Sequence, residues 1–240
     1  MISGQTTLVG LIGNPVEHSL SPAMHNAAFA ARGLDWAYVP LLVEAGRVDD
    51  AVRGLVALGF AGANVTAPHK AAAAAACETE LDSVNVLVVG DGRVQGLSTD
   101  AAILDGLPSQ RPVILGSGGA AAAFRAALPG ARVFSRRGDW PPDVAGADLV
   151  VNATSERAAV LCALSEGQTL VDLPYPETAT AGAARDAGAA VVGGLDVLVA
   201  QGVASFELWT GVPAPVEVRA CVPEASDARW RGDRRPTPPG

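Results

Sequence analysis

Cysteine, histidine and aromatic residues are scarce in this 240-residue chain, which holds three Cys, three His, two Tyr, four Trp and five Phe. Each scarcity excludes something. Cys77, Cys162 and Cys221 share no metal-like spacing and read as buried free thiols of a reducing cytoplasm. His18, His25 and His69 have no carboxylate or cysteine to complete a ligand set, so no metal is expected. His18 and His25 read as packing or capping groups, and His69 as structural. No run of about 18 apolar residues occurs, so no membrane span is expected. The opening "MISGQTTLVGLIG" lacks a basic stretch ahead of an apolar core, and no secretory leader is expected there. Positive charge is also short: 17 Lys and Arg face 25 Asp and Glu, for a net −8. That balance argues against nucleic acid, which needs a concentrated basic face. The one basic stretch, "DARWRGDRRPTPPG" at 227–240, is proline-rich and reads as a disordered tail.

What remains is a globular composition, 49% apolar and 18% charged, long enough for one large domain or two small ones. Short strand-like runs alternate with alanine-rich helical runs. Strands are expected at 7–13, 36–43 and from Gly62, with helices after Pro22, over 47–59 and through Ala71–Ala76. Residues 84–96 read as a hairpin turning at Asp91-Gly92. "STDAAILDGL" reads as a further helix capped by Ser98 or Thr99. A second series opens near residue 104, with strands at 112, 132, 149, 169 and 189 and helices after Gly119 and near 178–187. The helix at 195–209 is expected to pack back on the first series. Repeated strand–helix units imply parallel sheets with right-handed crossovers, so the fold class is α/β in two domains.

The second series begins "VILGSGGAAAAF". Gly116, Gly118 and Gly119 follow an apolar strand and open a helix, with Ala121 as the third small position. This is the context of a dinucleotide fingerprint, where backbone must approach a pyrophosphate at a helix N-terminus. NAD sites usually carry Asp or Glu about 20 residues beyond the first glycine. Here that strand ends in Ser135-Arg136-Arg137, and a guanidinium suits a 2′-phosphate, favouring NADP. Asp139, ahead of Trp140-Pro141-Pro142, reads as loop.

In the first series the expected strand ends carry Ser19, Ser21, Asn64, Thr66, Asn85, Thr99 and Asp100. Ligands of open parallel sheets bind beyond the carboxyl ends of the strands. Hydroxyls and amides gathered there suit a polyhydroxylated substrate. Lys70, at the seam between a buried strand and a helix, could shuttle a proton with Asp100.

The segments "LIGNPVEHSLSPAMHNAAF", "ANVTAPHK", "GLSTD", "LGSGGAA", "VVNATS" and "GLDVLVAQGVASFELWTG" resemble, in order and over residues 8 to 216, the shikimate dehydrogenase family. The resemblance implies NADP-linked, reversible reduction of 3-dehydroshikimate to shikimate in aromatic amino-acid biosynthesis. It implies a substrate domain at 1–103 completed by 195–226, and a Rossmann-like NADP domain at 104–194. Lys70 and Asp100 would be catalytic. Ser19 and Ser21 would bind the substrate carboxylate, Thr66, Asn85 and Gln201 its hydroxyls, and Tyr175 and Gly194 would lie at the domain junction, Tyr175 by the substrate and Gly194 by the nicotinamide. Gly116, Ser117, Gly118, Gly119, Ala120, Ser135, Arg136, Arg137 and Thr154 would hold the cofactor. The only implied partner is the small-molecule substrate, in a monomer or homodimer.

The chain departs from the family pattern at several points. Val86 replaces a threonine, "NTDG" reads Ser98-Thr99-Asp100-Ala101, and the span from Lys70 to Asn85 is short. Asn-Arg-Thr reads Ser135-Arg136-Arg137, "GDWPPDVAGA" stands where a helix is usual, and Glu156 stands where a glycine is usual. These positions bear on substrate and cofactor, leaving open a quinate or aminoshikimate dehydrogenase, or a catalytically weak homologue that senses such ligands.

Overall fold

A computed structural model of the chain describes residues 2–215. Two five-stranded sheets carry the architecture. The first is built by β1 (Thr7–Gly13), α1 (Ser21–Ala31), β2 (Trp36–Leu42), α2 (Val48–Ala57), β3 (Phe60–Val65), α3 (Lys70–Ala75) and the hairpin β4 (Val86–Gly90)–β5 (Arg93–Leu97). Its strand order is β2-β1-β3-β4-β5, parallel through β3 and antiparallel across the hairpin. The second sheet is parallel throughout, in the order β10-β9-β8-β6-β7. Its elements are β6 (Pro112–Leu115), α4 (Gly119–Ala127), β7 (Arg132–Phe134), β8 (Leu149–Asn152), β9 (Thr169–Asp172), α5 (Ala179–Asp186) and β10 (Ala190–Val192). A last helix, α6 (Gly194–Thr210), closes the described chain.

Side-chain alternation along β1 shows how the first sheet is covered. Val9 and Leu11 face one way, into a core with Met24 and Phe29 of α1 and Leu198 and Phe206 of α6. Leu8 and Ile12 face the other way, against Val48, Val52 and Leu55 of α2 and Ala73 and Ala74 of α3. That is the period-2 consequence of strand geometry. In the second sheet the four-residue strands are buried on both faces, which is why they read as unbroken apolar runs. Ile114, Leu149, Val151 and Val171 pack on Ala121 and Phe124 of α4, while Val113, Leu115, Val150 and Leu170 pack on Ala181 and Ala184 of α5. Val197 of α6 joins the α4 side of this core, so α6 touches both sheets.

The sequence misplaces one element. "STDAAILDGL" forms a single 3₁₀ turn, Ala102–Leu104, and no side chain caps it. Thr99 and Asp100 turn their side chains inward to the polar network described below, and Asp105 is extended at ψ 123°, which stops the helix. The stretch between β7 and β8 has no helix, as "GDWPPDVAGA" foretells. Cys77 and Cys162 are free thiols, half-buried and buried; Cys221 and the tail at 227–240 lie outside the described residues. Among the described residues no helix is long and apolar enough to cross a membrane.

His25, on α1, is fully buried and stacks on Tyr38 with ring centroids 4.6 Å apart. Its Nε2 has no hydrogen-bond partner, and burial pulls its pKa from 6.5 down to about 3. The neutral imidazole therefore contributes stability that is fully present above pH 6.5 and is lost as pH falls towards 3. In that window the unfolded chain binds a proton that the folded chain refuses, costing at most about 1.4 kcal/mol per pH unit. Between pH 7 and pH 5, urea unfolding of the wild type should lose about 2 kcal/mol more than that of His25→Gln. Equal losses would remove His25 from the account.

Candidate active site

Lys70 owes its position to the turn that ends β3. The His69 backbone N–H donates to Thr66 O at 3.0 Å, and the buried His69 ring donates from Nε2 to Val43 O at 2.7 Å, beyond the end of β2. This tie fixes the first residue of α3, which is Lys70. Its Nζ donates to Asp100 Oδ2 at 2.5 Å, with the two side chains only 15% and 7% exposed.

Asp100 is fixed from the other side by Asn85. The Asn85 carbonyl Oδ1 accepts from Thr99 N at 2.7 Å, clamping the loop after β5. Its Nδ2 donates to Asp100 Oδ1 and Thr99 Oγ1, each at 3.0 Å, and reaches Gln201 Oε1 on α6 at 3.2 Å. Both carboxylate oxygens of Asp100 are thus occupied, one by the ammonium and one by the amide. An ammonium has three N–H donors, so with one directed at Asp100 others are available to a ligand.

The network runs further than this pair. Asn64, inside β3, donates to Ser205 Oγ and to Asn85 O at 3.0 and 3.1 Å, and accepts from the Tyr38 hydroxyl at 2.9 Å. Ser205 donates to Gln201 O at 2.8 Å and lies 3.3 Å from Thr99 Oγ1. Burial pushes the Tyr38 hydroxyl up beyond the usual phenol range, only partly offset by its hydrogen bond with Ser21. Three segments far apart in sequence (β3, the loop after β5 and α6) are therefore cross-linked by polar contacts at one point.

Beside this network opens a cavity of about 170 Å³. Ser19, Ser21, Thr66, Lys70, Asn85, Asp100, Tyr175 and Gln201 all line it, so the structure gathers the eight residues expected from sequence to bind and turn over substrate. Ser19 lies just before α1 and Ser21 is its first residue. Gln201 comes from the middle of α6, and Tyr175 from the loop after β9, where burial raises its hydroxyl pKa. Ala120 and Gly194, expected on the cofactor side, line the same cavity. Asn64 and His25 also line it. Asn64 is legible as an amide in an otherwise apolar strand; nothing in the sequence distinguishes His25 from an ordinary core residue.

The glycine turn adjoins this cavity through Ala120, which lines it. Gly116 has φ +124°, open in practice only to glycine, and a Cβ there would fall 2.8 Å from Ala153 O after β8. β6 is where the strand order reverses, with β7 on one side and β8 on the other, so the turn occupies the crevice at a topological switch point. Gly118 precedes α4 in extended backbone with open space around it, and Ser117 is exposed. A Cβ on Gly119 would fall 2.9 Å from Ser83 Oγ and 3.4 Å from Lys70 Cβ, so the start of α4 abuts the seat of the lysine. Ala121 is buried where the helix packs on β6. A cradle that side chains would fill, opening on a helix N-terminus, fits a dinucleotide pyrophosphate.

Ser135, Arg136 and Arg137 follow β7, with Arg136 and Arg137 exposed. Arg136 donates to Glu156 Oε2 at 3.0 Å and stands over the Trp140 ring, 5.8 Å from its centroid. Thr154 directs its hydroxyl to Asn152 Oδ1 at 2.7 Å and accepts from the Glu156 backbone N–H at 3.2 Å. The basic residues thus lie apart from the Lys70 cavity, at the end of the neighbouring strand.

A polar pocket closed by a helix from beyond the nucleotide-type sheet, with a lysine–carboxylate pair beside the glycine turn, defines the class: a two-domain α/β protein with the architecture of a pyridine-nucleotide dehydrogenase. Residues 11–87 match the shikimate dehydrogenase substrate binding domain, and residues 194–218 the shikimate 5′-dehydrogenase C-terminal domain. A shikimate dehydrogenase (NADP⁺) of Anaeromyxobacter sp. (strain Fw109-5) is 40% identical over 92% of this chain and 96% of its own length. A crystal structure of a shikimate dehydrogenase in complex with NADP⁺ superposes with a TM-score of 0.82 at 30% identity, covering 91% of this chain and 95% of that one. The Thermus thermophilus shikimate 5-dehydrogenase in complex with NADP(H) and shikimate superposes with a TM-score of 0.81 at 29% identity, over 90% and 98%. The chain belongs to the shikimate dehydrogenase family.

Proposed function

We propose that this protein is an NADP-dependent shikimate dehydrogenase, reducing 3-dehydroshikimate reversibly to shikimate. The observation that carries the reading is the Lys70–Asp100 pair, held at 2.5 Å in a polar cavity whose wall continues into the glycine turn. The names of the relatives support it: the Anaeromyxobacter protein is a shikimate dehydrogenase (NADP⁺), and the Thermus structure is a complex with NADP(H) and shikimate.

In this reading residues 1–103, completed by 195–226, form the substrate-binding unit, of which residue 1 and residues 216–226 lie outside the described residues, and residues 104–194 form the NADP-binding unit. Ser19 and Ser21 hydroxyls hold the substrate carboxylate, and Thr66, Asn85 and Gln201 hold its ring hydroxyls. Tyr175 and Gly194 border the end of the pocket next to the nucleotide. Gly116, Ser117, Gly118, Gly119 and Ala120 present backbone to the pyrophosphate. Ser135, Arg136 and Arg137 take the adenosine 2′-phosphate, and Thr154 shapes the loop beside them.

A dinucleotide held by the Gly116–Ala120 turn and by Ser135, Arg136 and Arg137 would supply the hydride that reduces the ring carbonyl. Lys70 Nζ donates a hydrogen bond to that carbonyl oxygen, stabilises the negative charge that grows on it, and delivers the proton that completes the alcohol. Asp100 keeps the ammonium aimed and balances its charge. Asn85 holds Asp100 and at the same time contacts Gln201, so substrate recognition and proton delivery share one scaffold. Positioning and fixed charge supply most of the rate in such a site.

The test is reduction of NADP⁺ at 340 nm by purified protein offered shikimate, quinate and aminoshikimate. Turnover is expected with shikimate above the other two. Turnover with quinate or aminoshikimate alone would reassign the substrate, and none with any of the three would reject the enzyme reading. For the cofactor, Arg136→Ala should weaken NADP⁺ binding about tenfold or more, through loss of a charge-assisted contact, and leave NAD⁺ nearly unchanged. Calorimetric titration with each dinucleotide measures both.

A further inference from the structure

The arginine assigned to the 2′-phosphate is already engaged. Arg136 donates from Nη2 to Glu156 Oε2 at 3.0 Å, and Glu156 is itself anchored. Its other oxygen, Oε1, accepts from the backbone N–H groups of Arg157, Ala158 and Ala159 at 3.1, 3.0 and 3.2 Å. Three backbone donors thus hold one carboxylate against the guanidinium, and Trp140 lies on the guanidinium's flank. Its contact with Arg136 holds the Glu156 carboxyl below the usual carboxylate range, so it is an anion at neutral pH.

We propose that Glu156 is a specificity-determining residue that sets how strongly this enzyme prefers NADP over NAD. The proposal rests on the reading of Arg136 as the residue at the adenosine ribose. A 2′-phosphate must share Arg136 with a fixed carboxylate and bear its repulsion. A ribose 2′-hydroxyl meets no such repulsion and can donate to the same carboxylate, the contact by which acidic residues select NAD. The acidic group reaches the ribose from the loop after β8 rather than from the end of β7, where sequence spacing would place it. The consequence is an enzyme that binds both dinucleotides, with its NADP preference narrowed by its own side chain.

The experiment is calorimetric titration of wild type, Glu156→Gln and Arg136→Ala with NADP⁺ and with NAD⁺, at low and at high salt. Glu156→Gln keeps the size of the side chain and an oxygen for the backbone N–H groups. It should tighten NADP⁺ by about three- to tenfold at low salt, less at high salt, and leave NAD⁺ unchanged or weaker. An NADP⁺ affinity that is unchanged, or weaker because Glu156 serves only to hold Arg136 in place, would overturn the proposal. The arms separate it from the reading beneath it. If Arg136→Ala fails to weaken NADP⁺, the assignment of Arg136 is wrong; if it does weaken NADP⁺ while Glu156→Gln does not tighten it, only the role of Glu156 is wrong. Thermal unfolding of each variant confirms that the fold is intact.

Discussion

Replacing Lys70 with alanine should lower kcat for shikimate oxidation by about 10²- to 10⁴-fold, while KM changes little. The expectation follows from what Lys70 touches. Its ammonium reaches Asp100 and the cavity, whereas several other hydroxyls and amides line the same space and remain to hold substrate. An interaction that strengthens only as charge grows on the carbonyl oxygen acts on the transition state, so its loss falls on kcat. Steady-state kinetics with shikimate and NADP⁺ measures the split. A rise in KM as large as the fall in kcat would make Lys70 a recognition residue.

Truncating Phe206 to alanine should cost about 3–5 kcal/mol of stability, a fall in Tm of roughly 6–20 °C for a chain of this size. Phe206 is fully buried and stacks on Phe29 with centroids 5.4 Å apart, joining α6 to α1. The same helix carries Gln201 and Ser205 into the polar network. Loosening it should therefore also raise KM for shikimate, an effect that a purely local cavity would not have. Scanning calorimetry and steady-state kinetics on the same preparation read both. A stability change below about 1 kcal/mol would mean that α6 is not part of the first core.

Most strands and helices were legible because each carries its own local signal. β1 alternates apolar residues between two covered faces, the strands of the second sheet are short apolar runs bounded by turn residues, and Asp91-Gly92 marks the hairpin. The helix expected after Ser98 failed because Thr99 and Asp100 are spent on Asn85, a partner 14 and 15 residues away that no local pattern reveals. Six of the eight pocket residues were legible from their places at the expected strand ends and strand–helix seam, and Tyr175 and Gln201 only as members of motifs; spacing alone says nothing of Gln201 meeting Asn85 across 116 residues. Tyr38 and Ser205 went unassigned for the same reason, and Asn64 was read only as one of the strand-end amides, since their contacts exist only once β3, β2 and α6 are packed together. The Glu156–Arg136 contact is of this kind too. The sequence shows an unusual glutamate, and only the fold sets it against the arginine.

The proposed proton transfer requires Lys70 and Asp100 to act as one unit, and a cycle of Lys70→Ala, Asp100→Ala and the double variant tests that most directly. With saturating shikimate and NADP⁺, the double variant should turn over within about threefold of the slower single variant, because either change alone disables the pair. Two losses that multiply in the double variant would show the ammonium and the carboxylate working independently, and would contradict the mechanism drawn from their contact.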